Sequence, residues 1–96
     1  MDAIDLLVFF EEPYVEHGQV LDPGGWAWGI YPDARENAHA IRDEVGNRYE
    51  AWGADVNWYW LEQRAIKAAI AKGLGDSPDD FVVELEDPSD DGDPGY

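Results

Sequence analysis

Cysteine and threonine are both missing from this 96-residue chain, and serine occurs only as Ser77 and Ser89. Without thiols there are neither disulfides nor thiolate metal sites. So few hydroxyls leave nothing on which to build an oxygen nucleophile, and no glycine-rich phosphate cradle is present. No apolar run approaches the roughly 20 residues of a membrane-spanning helix. The opening MDAIDLLVFF carries acid where a secretory leader carries base, so the expectation is an unexported, cytoplasmic chain. Carboxylate pairs are plentiful, but in so acidic a chain they arise by chance, and nothing marks one as having a raised pKa. The sequence therefore assigns no catalytic residue, no metal ligand and no cofactor, and the expectation is a protein that is not an enzyme.

Positive charge is the other scarcity. Six Lys and Arg stand against 22 Asp and Glu, for a net charge of -16. All six bases, Arg35, Arg42, Arg48, Arg64, Lys67 and Lys72, lie between 35 and 72, where six acids balance them. Residues 1–34 hold seven acids and residues 73–96 hold nine, with no base in either, so these two flanks supply the whole excess.

What is present organises around residues 55–72, DVNWYWLEQRAIKAAIAK, where neither Gly nor Pro interrupts before Gly73. Asp55 is the expected N-cap and Gly73 with Gly75 the stop. At 100° per residue Trp58, Leu61, Ala65, Ala68 and Ala69 share one sector and Val56, Tyr59, Ile66 and Ile70 the next, which predicts a helix buried on two sides. Trp60, Arg64, Lys67 and Ala71 form the strip left for solvent.

Ile4, Leu6, Val8 and Phe10 alternate with Asp5, Leu7, Phe9 and Glu11, the period of a strand. Asp22-Pro23-Gly24-Gly25 places Pro and Gly as a type II turn requires, predicting a hairpin of residues 19–21 with 25–31. In the second arm Trp26, Trp28 and Ile30 face one way, and Gly25, Ala27 and Gly29 leave the other side bare for a helix. Ala34, Ala38, Ile41, Val45, Tyr49 and Trp52 then describe a narrow helical stripe over 33–52. Gly46-Asn47 is its weak point, since that pair could equally end the helix and leave 48–52 as a short strand. Phe81, Val83 and Leu85 alternate with Val82, Glu84 and Glu86 in a last strand.

The resulting expectation is α+β, a small antiparallel sheet of three to four strands packed on a two-helix hairpin in the order β-β-α-α-β. Residues 1–87 form one globular acidic domain, large enough for its own core and stable by on the order of 5–10 kcal/mol. Residues 88–96 are an acidic C-terminal tail without apolar periodicity.

Two motifs invite a metal. Asp87, Ser89, Asp91 and Gly92 match the opening of a calcium loop, but no bidentate Glu follows at the required place. Glu36, His39 and Asp43 would share one face of a helix, a coincidence that helical spacing readily produces. Neither is assigned as a site.

Uneven charge favours a binding function. A folded carboxylate array can engage the Lys and Arg surface that another protein presents to nucleic acid, and is steered to it at rates that fall with salt. The expected contacts are Glu11, Glu12 and Glu16 past strand one, with Asp79, Asp80, Glu84, Glu86 and Asp87 around the last strand. Glu36, Asp43 and Glu50, spaced by seven on the expected first helix, come second. Tyr14 or Trp60 could anchor such a complex. The partner is then a basic nucleic-acid-binding protein or complex, with no direct binding of nucleic acid and no membrane. The oligomeric state is left open.

The flanks LLVFFEEPYVE and DSPDDFVVELEDPSDDGD, with small size and absent cysteine, give the chain its likeness. In charge character and size it resembles the small acidic anti-CRISPR and anti-restriction proteins of phages and mobile elements that mimic nucleic acid. That resemblance implies inhibition of a CRISPR effector or restriction enzyme by steric occupation. It carries over no residue, because such proteins share no common motif. The alternative is an acidic accessory or interaction domain adapted to high salt, whose charge keeps it in solution without any inhibitory role.

Overall fold

The structure is a computed structural model that describes residues 2–87. Its centre is β1 (Ile4–Glu11), where the period-two pattern buries both faces. Ile4, Leu6, Val8 and Phe10 enter the main core, while Leu7 and Phe9 enter a smaller one on the opposite face. β1 pairs antiparallel with β4 (Gly25–Ile30), which pairs antiparallel with the two-residue edge strand β5 (His39–Ala40). On its other side β1 pairs parallel with β6 (Phe81–Leu85), giving a mixed four-stranded sheet in the order β5-β4-β1-β6. A separate hairpin joins β2 (Tyr14–Glu16) to β3 (Gln19–Asp22).

The single α-helix among the described residues, α1 (Trp58–Ala71), lies against the main-core face. Leu61, Ala65, Ile66 and Ala69 are buried against Leu6, Val8, Trp26, Trp28 and Phe81. Edge-to-face ring contacts run from Trp52 through Phe10 and Trp26 to Trp58, at 4.8, 5.5 and 5.4 Å. Such contacts contribute about 0.5–1.5 kcal/mol each beyond burial. The apolar sectors read from the sequence turn to the core, Val56, Trp58, Ala68 and Ile70 half-buried, except that Tyr59 is 74% exposed; Trp60, expected on the solvent strip, lies half-buried against Tyr49. Gly73 (φ 81) ends the helix: its N–H donates to Ile70 O and that of Leu74 to Ala69 O, the paired bonds of a Schellman motif. The N-cap is Asn57, whose side chain accepts from Trp60 N at 3.0 Å. Asp55, the expected cap, instead closes the short 3-10 turn Gly53–Asp55.

The structure overturns the expected two-helix hairpin. Residues 33–52 hold one turn at Asp33, the edge strand β5, and a tight turn closed by an Arg42–Arg48 bridge. Gly46 (φ 90) takes the left-handed conformation there, and the Asp43 carboxylate accepts from Val45 N and Asn47 N. The stripe's residues do turn inward at Ala34 and Ile41, but Val45 at the turn is 80% exposed. A narrow stripe with alanine at two of its six positions buries too little to hold a helix against the backbone bonds offered by the β4 edge. The bare face of β4 accordingly receives a loop instead of a helix: a Cβ on Gly29 would stand 2.5 Å from Ala34 O.

The sheet is mixed for a topological reason. β5 lies two antiparallel steps from β1 and so runs with it, and α1 carries the chain across one face to the far edge. A strand entered by such a crossover keeps the direction of β5, making β6 parallel to β1. The expected pairing of residues 19–21 with 25–31 is corrected as well. β3 turns back on β2 through His17 (φ 54) and Gly18 (φ 78), two positive-φ residues between Glu16 and Gln19 as a type I′ turn requires.

Candidate functional site

Because β1 and β6 are neighbours, the two acidic flanks meet in one sheet. The register sets Asp5 opposite Val82 and Leu7 opposite Glu84, so Asp5 and Glu84 share the face turned away from α1. Strands about 4.8 Å apart with side chains about 6.6 Å apart along each define the lattice on which they stand. Both are exposed.

Several of the expected contact acids are engaged within the chain. Glu11 accepts from Arg48 Nη2 at 2.6 Å, and the Arg48 side chain, 11% exposed, also donates to Trp26 O and Gly25 O. Arg35 Nη2 reaches both oxygens of Glu86 at 2.6 and 2.5 Å, while its guanidinium lies 4.7 Å over the Phe9 ring. Asp80 caps the 3-10 turn Pro78–Asp80 by accepting from Asp76 N and Ser77 N, and these bonds hold its carboxyl below the usual value. Glu12, Glu16, Asp79 and Glu84 remain exposed, with Glu16 accepting from the Tyr14 hydroxyl and standing 3.6 Å from His17. Asp87 is half-buried and has interactions of its own.

The acids do not form one cluster. Asp79 and Asp80 precede β6 and lie level with Ile4, whereas Glu12 and Glu16 follow the far end of β1. Eight residues of strand at about 3.3 Å each put roughly 25 Å between them. Glu36, Asp43 and Glu50 lose their seven-residue row with the helix that would have carried it. Glu36, His39 and Asp43 share no helical face either. Among the described residues no three His, Asp or Glu side chains stand together as a metal site. His39 instead packs its ring 4.8 Å from Trp28, and burial, then the charge of Lys72, lowers its pKa. Ser89, Asp91 and Gly92 of the calcium-like motif, with the rest of 88–96, lie outside the described residues.

The element that sequence reasoning missed is the β2–β3 hairpin. Every residue of both strands is exposed, and Tyr14, Val15, Val20 and Leu21 are 54–61% exposed while touching neither core. Glu12, Glu16 and Asp22 flank these apolar groups, with no base in the first 34 residues. The signal was His17-Gly18, a weaker hairpin sign than Asn-Gly, overshadowed by the stronger turn chemistry of Asp22-Pro23-Gly24.

Comparison with known protein families, with curated proteins and with solved structures finds no match to this chain. No helix among the described residues is long and apolar enough to cross a membrane.

Proposed function

We propose that this chain is an acidic binding domain that occupies the basic nucleic-acid-binding surface of a cytoplasmic protein, as the acidic anti-CRISPR and anti-restriction proteins do. The observation that carries this reading is the β2–β3 hairpin. Its apolar side chains join neither core and stay more than half exposed, so a partner can bury them, and the carboxylates around them fit a cationic rim. Charge supplies approach and register while Tyr14, Val20 and Leu21 supply buried contact. Glu84 and Asp5 make a separate acidic pair on the sheet face. Glu11, Glu86 and Asp80 act as structural acids. An acidic coat serving only high-salt solubility gives no reason for exposed valine, leucine and tyrosine on one arm.

The test starts with capture from host lysate in moderate salt, followed by competition with nucleic acid on the captured protein. Addition of the domain should displace a labelled duplex or RNA, and Glu12→Lys with Glu16→Lys should weaken displacement by on the order of 100-fold. Leu21→Asp should weaken it comparably. A captured protein that holds the domain and its nucleic acid together would overturn the reading, as would full activity of these variants.

A further inference from the structure

Four of the six bases gather on the side of the molecule away from the acidic sheet face. A groove of about 290 Å³ runs between α1 and the β5 edge. Trp28, Ile41, Ala68 and Ala71 make its apolar floor and wall. Arg42, Arg64 and Lys67 stand around it, and Lys72 follows at the helix end.

The bonding of these cations is unlike that of the other two. Arg35 and Arg48 meet carboxylates at 2.5–2.6 Å. Arg64 Nε donates instead to Arg42 O at 2.8 Å, and Arg42 Nη1 to Gly46 O at 3.1 Å, so carbonyl groups hold both guanidiniums in place without cancelling their charge. Among the described residues the one ion pair these cations make is from Arg64 Nη1 to Glu44, at 3.7 Å and on an 84% exposed side chain. Lys67 has no ion pair among the described residues. In a chain with 22 acids, three cations around an apolar groove, two without an ion pair among the described residues and the third held only by an exposed carboxylate, are a local excess of the scarce charge.

We propose that this groove binds a small organic anion, a carboxylate carried on an aliphatic or aromatic body of about ten non-hydrogen atoms. The size follows from the volume, since a water's share of liquid is about 30 Å³ and the groove holds roughly ten such shares. The apolar body lies on Trp28 and the alanines of α1, and the carboxylate sits between Lys67 and the guanidiniums of Arg42 and Arg64. The assignment is independent of the hairpin.

Octanoate is the probe, titrated into the full chain at moderate salt and followed by amide and indole chemical shifts. Saturable shifts at Trp28, Ile41, Ala68 and Ala71 are expected, with half-saturation on the order of 1 mM for a ligand this small. Octan-1-ol, lacking the charge, and acetate, lacking the body, should each bind at least about tenfold more weakly. Lys67→Glu should weaken octanoate about tenfold and Ala71→Trp should block the groove, both at exposed positions where the unchanged spectrum elsewhere verifies the fold. Shifts that fail to saturate, that are equal for octan-1-ol, that persist in both variants, or that map to the hairpin would each overturn the assignment.

Discussion

Arg48→Met removes the donors that tie three segments together while keeping most of the side chain's apolar stem. The guanidinium joins the end of β1 through Glu11, the start of β4 through Gly25 O and Trp26 O, and the loop from which Arg48 itself comes. At 11% exposure it is screened from water, so its two carbonyl bonds count nearly in full, on the order of 1.5 kcal/mol each for a charged donor. Glu11 is 37% exposed and regains hydration when the arginine is lost, so its share must be discounted to less than about 1 kcal/mol. Trp26 O keeps its bond from Ile41 N, which softens the loss. Together these give about 2–4 kcal/mol, and at roughly 4–8 °C per kcal/mol a fall in Tm of about 8–32 °C. Urea unfolding of the wild type, Arg48→Met, Glu11→Gln and the double variant measures both the loss and the pair's coupling. Glu11→Gln should lose less than about 1 kcal/mol. An Arg48→Met variant within about 0.5 kcal/mol of wild type would refute the clamp, and equal losses from the two single variants would refute the dominance of the carbonyl bonds.

Gly29→Ala tests the close approach of the 31–38 loop to β4. Strand preference alone would make alanine neutral or favourable, but the new Cβ meets the backbone of Ala34, so a loss of about 1–3 kcal/mol in urea unfolding is expected. Acid should act through two groups whose folded pKa values are lowered. The contribution of His39 is fully present above its ordinary value of 6.5 and is lost as pH falls below that toward the folded value; Asp80 contributes above 3.8 and loses that as pH falls through its lower folded value. Relief of self-repulsion at a net charge of -16 works in the opposite direction, so the readout is the difference in stability between wild type and His39→Gln across pH 5 to 7. That difference should shift toward the variant as pH falls, and a flat profile would sink the argument.

The strand of β1, the buried faces of α1, the Gly73 stop and the alternation in Phe81–Leu85 were legible because each rests on local chemistry: a period, a cap or a left-handed glycine. The same rules misread 33–52, where spacings compatible with a helix belonged to residues that reach the cores from a turn and an edge strand. The exposed arm was hidden for a related reason. Val15, Val20 and Leu21 look the same in sequence whether they are buried or not.

The amino-acid order by itself determined which segments carry apolar weight and where charge is confined, since both depend only on residue type and spacing. Tertiary structure alone decided that the first and last strands lie side by side, which carboxylates are taken by Arg48 and Arg35, and where Arg42, Arg64 and Lys67 converge. Those outcomes depend on pairings between distant parts of the chain, and the energy that selects among such pairings lies in backbone hydrogen bonds and packing that no local pattern encodes.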